Sequence, residues 1–248
     1  MRQVFSIVLL ALLFGCKEQP KKEEVKEDMV MKTTIDDQKN EWTILFDGTS
    51  MDGWHEYLGE GVSEAWKLED GAMVFYPPKE RPEGKSYNIV TDVAYTNFML
   101  SLEWKISEAG NSGIFWGVFE DHKFGQPYQT GPEIQVLDDL AHPDAKNGTT
   151  HQAGSLYDMV APSQKVVKPV GEWNECIITV DHKTNNGSVV LNGVEIVTFA
   201  VHGEAWDAMV AKSKFADWEG FGKYQTGRIG LQDHGDIVAF RNIKIKEL

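Results

Sequence analysis

Cysteine is nearly absent. Only Cys16 and Cys176 occur in 248 residues, which excludes a disulfide framework. Cys176 alternates with Ile178 and Val180, so it reads as a buried structural thiol rather than a nucleophile. Positive charge is scarce too: 24 Lys and Arg face 38 Asp and Glu, a net charge of −14. That balance argues against nucleic acid or anionic lipid as a partner. Helical periodicity is also thin, with one helical candidate over 204–215 that carries Trp206, Met209 and Val210. With His202, this helix is expected to cover a sheet edge. The chain does carry eight Trp and seven Tyr, a composition compatible with carbohydrate contact that does not by itself establish it.

The first sixteen residues read as an export signal: Arg2, an apolar run over 4–14, then Leu13-Phe14-Gly15-Cys16. The run is too short to span a membrane. Its end resembles a bacterial lipobox, which implies lipidation of Cys16 and retention at the cell envelope, periplasmic or on the outer-membrane surface. Residues 17–40 hold six Lys and seven acidic residues with little to bury. They are expected to form a flexible charged tether, leaving 41–248 as the folded domain.

Within that domain, short apolar stretches alternate with turn signals. Asp70-Gly71 separates 66–68 from 73–75, and Asn192-Gly193 separates 189–192 from 194–199; both are hairpin signals. Over 98–106 the alternation is clean, with Phe98, Leu100, Leu102, Trp104 and Ile106 on one face. Asn111-Ser112-Gly113 reads as a turn leading into a strand at 114–118. A break in the period-two phase between Phe240 and Ile243 predicts a bulge near Arg241. The longest irregular stretch, 139–171, has a length usual for functional loops. About a dozen strands with one short helix point to an all-β, two-sheet jelly-roll sandwich.

The most informative stretch is GPEIQVLDD, residues 131–139. Ile134, Val136 and Leu137 make it a buried strand, yet it carries Glu133, Gln135 and Asp138. Residues two apart share a face, so Glu133 and Gln135 point together. Asp138 would join them only across a β-bulge. Burying such a set without a purpose costs several kcal/mol. The competing reading is an edge strand whose polar face sees water.

Eight segments together resemble one family: ILFDGTSMDGW, WKLEDGAMV, GNSGIFW, GPEIQVLDD, GSLYD, GEWNE, LNGVEIV and GRIGLQDHGDIVAFRNIKI. The chain is similar, over 42–248, to the bacterial 3-keto-disaccharide hydrolase domain family, which includes 3-keto-glucoside lyase and 3-keto-2-hydroxy-glucal hydratase types. The resemblance implies a concanavalin-like fold and cleavage of glycosides whose sugar 3-hydroxyl a separate dehydrogenase has already oxidised. The spacing at 133, 135 and 138 is also similar to the ExDxxE strand of laminarinase-type glycosidases, with an amide replacing the middle acid and Asp replacing the last Glu. That departure speaks against hydrolysis by a close carboxylate pair.

A 3-ketone acidifies the proton on the neighbouring carbon, so the reaction needs a base, a group on the ketone oxygen and an acid for the leaving group. Glu133 and Asp138 are the base and acid candidates. His234 and Arg241 are the expected oxyanion stabilisers, although Arg241 could instead pair with Asp236. Gln135, Asn111, Trp116, His151 and Tyr157 are the substrate-contact candidates, with Trp116 and Tyr157 as stacking platforms or core. No cofactor is required by the pattern, but Glu133, Asp138, His151 and His234 could alternatively ligate a divalent metal. Two other functions fit the same residues: a non-catalytic carbohydrate-binding lipoprotein and a conventional laminarinase-like glucan hydrolase.

Overall fold

The structure, a computed structural model, describes residues 41–248. The signal, the lipidation residue Cys16 and the tether over 17–40 lie outside the described residues. In chain order the domain forms β1 (Thr43–Phe46), β2 (Trp54–Glu56), β3 (Trp66–Glu69), β4 (Ala72–Phe75), β5 (Ile89–Tyr95) and β6 (Phe98–Ile106). There follow β7 (Asn111–Val118), β8 (Glu133–Leu137), β9 (Asn174–Asp181), β10 (Asn186–Leu191) and β11 (Val194–Phe199). Helix α1 (Gly203–Val210), β12 (Gly227–Leu231) and β13 (Val238–Glu247) complete it.

These strands make two antiparallel sheets, as the spacing of apolar stretches predicts. The larger runs β11-β10-β9-β6-β13-β4-β3, with β1 also on β13; the smaller runs β2-β5-β12-β7-β8. Between them lies one core. The 98–106 alternation supplies Phe98 through Ile106, and Cys176, Ile178, Val180 and Phe240 join it from the same sheet. Ile114, Trp116, Ile134, Val136, Ile229 and Leu231 come from the smaller sheet. Each side chain of Leu or Phe size contributes about 1.5–3 kcal/mol on full burial, so this interface dominates the domain's stability. Cys176 is buried and free, and burial pushes its thiol pKa up to about 12.

Both hairpin signals form tight turns with paired positive φ angles: Asp70 at 50° and Gly71 at 74°, Asn192 at 51° and Gly193 at 81°. The register of β13 on β6 shifts between Arg241 and Lys244, and Asn242 has φ 53°; this is the expected bulge.

Three local expectations differ. Asn111-Ser-Gly is not a turn but the start of β7, where Asn111 pairs with Leu137 and Gly113 with Gln135. The turn falls one step earlier, at Ala109 with φ 52°. The helix stops at Val210 instead of continuing to 215, because the Ser213 hydroxyl donates to the Val210 carbonyl (2.8 Å) and the Lys214 amide donates to Asp158 (2.7 Å). Those bonds divert the chain toward the 139–171 loop. Finally, β8 pairs with β7 without a bulge.

Candidate active site

The residues of β8 alternate over 133–136, after which Leu137 joins Val136 in the core. Ile134 and Val136 enter the core, whereas Glu133 and Gln135 stand on the opposite face of the smaller sheet. Asn111 and Gly113 on β7 share that face by register, and Gln232, just past β12, joins them. Tyr128, Tyr157, Lys214, Phe215, Trp218 and His234 close the surround, leaving a cleft of about 220 Å³.

Glu133 lies across the backbone of Gly113. A Cβ added at Gly113 would come within 2.1 Å of the Glu133 Oε1 atom, so only glycine allows this carboxyl position. The residue is 7% exposed. Burial pushes its pKa up to about 8, with the Lys214 charge pulling down and Asp144 pushing further up. At neutral pH this carboxyl therefore carries its proton for most of the time, and it is the one carboxylic acid lining the cleft.

Beside it three amide side chains keep a buried oxygen without a partner. Gln135 donates through Nε2 to Asp144 Oδ2 and to the His151 carbonyl, both at 3.4 Å. Those partners fix its amide orientation and leave Oε1 buried with no partner. Asn111 Oδ1 and Gln232 Oε1 are likewise buried and without one. A buried acceptor left unmatched costs about 1–3 kcal/mol. The three residues stand side by side on neighbouring strands and all line the cleft.

Behind Gln135 sits a carboxylate–imidazole relay. His151 Nδ1 meets Asp144 and Nε2 meets Asp158, each at 3.0 Å. The Tyr157 hydroxyl donates to Asp144 at 3.0 Å. Burial and the adjoining Asp144 push the Tyr157 phenol well above its ordinary pKa, so it remains neutral. For Asp144, burial is outweighed by hydrogen bonds from Asn147, Tyr157 and His151, which hold its carboxyl below the usual range. With both ring nitrogens occupied, His151 buttresses the cleft wall and does not line the cleft.

Three expected residues are placed elsewhere. Asp138 follows the last residue of β8, and without the bulge it turns away. It accepts backbone N–H groups from Ala109 (2.8 Å), Leu140 (3.0 Å) and Ala141 (3.3 Å), so it organises the chain leaving the strand. Arg241 lies on the outer face of the larger sheet. It donates through Nε and Nη2 to Glu103 at 2.9 and 2.6 Å, and its guanidinium stacks 4.1 Å from the Trp173 ring centroid. The expected alternative partner, Asp236, instead accepts the Asn111 amide at 3.0 Å. Trp116 is 3% exposed and packs in the core against Phe199 and Trp206 at 6.1 and 5.8 Å. Strand parity sends it inward.

His234 is exposed at the cleft mouth, where surrounding protein mass lowers its pKa, with Asp236 opposing and His142 adding to the fall. Ligand atoms of His142, His234 and Asp236 come within 4.8 Å of one another, a donor set different from the expected Glu133, Asp138, His151 and His234. His142 Nδ1 accepts the Asp144 amide at 3.1 Å, which leaves the proton of the neutral ring on Nε2. Ligating imidazoles normally donate their second nitrogen instead, so metal binding by His142 requires breaking this cap.

The cleft also contains residues that sequence reasoning missed. Lys214, Phe215 and Trp218 fall in a segment whose apolar spacing imitates a helix, and Gln232 resembles a strand terminus. The one available signal was the aromatic density of 215–221 in an otherwise polar stretch.

Residues 41–246 match the family model of the 3-keto-alpha-glucoside-1,2-lyase-like domain. A Bacteroides thetaiotaomicron protein named 3-keto-disaccharide hydrolase is 36% identical over 231 residues, spanning 84% of this chain and 78% of the relative. A Parabacteroides distasonis protein solved as a candidate glycosyl hydrolase superposes with TM-score 0.77 at 33% identity, covering 86% of this chain and 96% of its own. A Bacillus subtilis protein with a galectin-like fold matches at TM-score 0.52 and 10% identity, over 84% and 94% of the two chains; this is a likeness of fold. Matched across its whole described domain, the chain belongs to the 3-keto-alpha-glucoside-1,2-lyase-like domain family.

Proposed function

We propose that this protein cleaves glycosides or disaccharides whose sugar carries a ketone at position 3, with Glu133 transferring the proton at carbon 2. The observation that carries this reading is one buried carboxyl, Glu133, set in a cleft beside three amide side chains whose buried oxygens have no partner. Ionised Glu133 removes the carbon-2 proton, and the electron pair moves onto the ketone oxygen as an enolate. Collapse of the enolate breaks the bond to the anomeric oxygen, which takes up the proton held by Glu133 and leaves as an alcohol, and an unsaturated ketone remains. Water then adds at carbon 1 and a proton returns to carbon 2, so the sum is hydrolysis. A base whose pKa lies near the working pH is well matched to such a step.

Gln135, Asn111 and Gln232 form the wall against which the sugar is oriented, and His234 at the mouth faces the leaving group. Elimination is favoured over conventional glucan hydrolysis because the latter uses two carboxyl groups about 5–9.5 Å apart, and the cleft lining holds one. The ketone is supplied by a separate sugar 3-dehydrogenase. Lipidated Cys16 holds the protein at the bacterial cell envelope.

The test compares the full chain on a chromogenic 3-keto-glucoside and on its unoxidised parent, with and without chelator. Aglycone release from the keto form alone is the expected result. Release from the parent overturns the oxidation-dependent reading, and binding without turnover of either leaves a carbohydrate-binding protein.

A further inference from the structure

The elimination leaves one requirement unmet. Negative charge develops on the ketone oxygen; of the two expected stabilisers, Arg241 is committed to Glu103 on the other sheet and His234 lies exposed at the cleft mouth. Oriented donors or cations at that oxygen commonly provide the largest single stabilisation of such a transition state. The amide oxygens of the cleft cannot do this. Gln135 in particular, with its Nε2 committed to Asp144 and the His151 carbonyl, presents an oxygen that repels a carbonyl. The ketone must go where a donor is.

We propose that Lys214 is a catalytic residue of this site, its ammonium holding the substrate's ketone oxygen and the enolate that forms there. This rests on the function proposed above. Lys214 is the one Lys or Arg among the residues lining the cleft. Among the described residues no carboxylate lies within 4.0 Å of its Nζ, although ten ion pairs form elsewhere in the domain. What holds the ammonium is aromatic: Nζ sits 4.1 Å from the Tyr157 ring centroid and 5.3 Å from that of Phe215. An aromatic face attracts the cation without consuming its three N–H donors as a carboxylate would. Tyr157 in turn is held by Asp144 (3.0 Å).

The backbone is locked as well. The Lys214 amide donates to Asp158 Oδ2 at 2.7 Å, while Asp158 Oδ1 binds His151. Asp158 therefore ties the 211–226 segment to the 139–171 loop at the residue whose side chain reaches the cleft. Lys214 and Glu133 line the same cleft of about 220 Å³, which places the cation near the base. This pairing selects an α-hydroxy ketone over a plain polyol: a hydroxyl at the same point gains little from an ammonium, whereas a forming oxyanion gains much.

The experiment uses the full chain and its K214M, K214R and K212M variants, the last altering a neighbouring exposed lysine. Two readouts are taken on the 3-keto-glucoside: aglycone release, and exchange of the carbon-2 proton in heavy water followed by NMR. K214M is expected to lower kcat about 100- to 1000-fold, with a smaller change in KM, and to slow the exchange in parallel. K214R should retain an intermediate rate, added methylammonium should partly restore K214M, and K212M should behave as the parent. Equal melting temperatures establish that the variants fold. If the parent protein turns over the keto-glucoside and K214M stays within about threefold in both readouts, Lys214 is not the oxyanion group and the elimination reading stands. If the parent releases no aglycone and exchanges no proton, both proposals fall.

Discussion

The outward faces of the two sheets treat their polar groups in opposite ways. On the outer face of the larger sheet, Glu103 receives Arg241 and Asn242 together, with Asn242 Nδ2 at 2.6 Å, and Trp173 lies between the cations of Lys105 and Arg241. Glu103, Arg241 and Asn242 there answer one another. On the exposed face of the smaller sheet, Glu133 is buried with no counter-ion in contact, and three amide oxygens have no donor. Both faces use the same kinds of residue at strand spacing. The difference shows that polar residues on a sheet say little until their partners are known.

The contrast is sharpest at Glu133. Replacing it with Gln should lower turnover of a 3-keto-glucoside about 100- to 10,000-fold, measured by aglycone release, while the fold persists. The same variant has a stability signature. Because the folded pKa is raised to about 8 from 4.5, the folded state holds a proton that the unfolded state has lost between those values. The parent should lose stability as pH rises through that window, by up to about 1.4 kcal/mol per pH unit. Glu133→Gln should flatten this slope in denaturant titrations at pH 5, 6, 7 and 8; an unchanged slope would show that Glu133 is not the buried acid described.

Gly113→Ala probes the same carboxyl from below. A methyl group 2.1 Å from Oε1 must displace it. The expected loss is about 10- to 100-fold in kcat with about 1–3 kcal/mol in stability, the range of overpacking, read from kinetics and a melt. Asp138→Ala should do the reverse. Removing the acceptor of three backbone N–H groups costs about 1–3 kcal/mol, while turnover by the folded protein stays within a few-fold; a collapse of kcat at unchanged stability would return Asp138 to the chemistry. The smallest effect belongs to the satisfied face. Arg241→Ala, at a partly exposed pair, should cost no more than about 1 kcal/mol and leave kcat unaltered.

Much of the fold was legible because its signals are local. Asp-Gly and Asn-Gly demand positive φ at two successive positions, and a period-two alternation admits one inward face. The bulge at Arg241 was legible as a phase break. The carboxylate geometry was only half legible. Parity puts Glu133 and Gln135 on one face, but whether Asp138 joins them depends on the register with β7, a property of the neighbouring strand. Lys214 was invisible for a related reason. Its apolar neighbours imitate a helix, and the Ser213 hydroxyl bond to Val210 together with the Asp158–amide bond, across 56 residues of chain, takes the segment out of helical form.

By itself, then, the sequence determined a two-sheet sandwich, its hairpins, its core faces and a strand bearing polar residues opposite apolar ones. Each of these follows from a side-chain period or a turn conformation encoded within a few residues. Which acids stay unpaired, which cation faces them and which residues merely brace the walls was decided by the tertiary structure. Hydrogen-bond satisfaction and desolvation depend on groups brought together from strands and loops far apart in the chain.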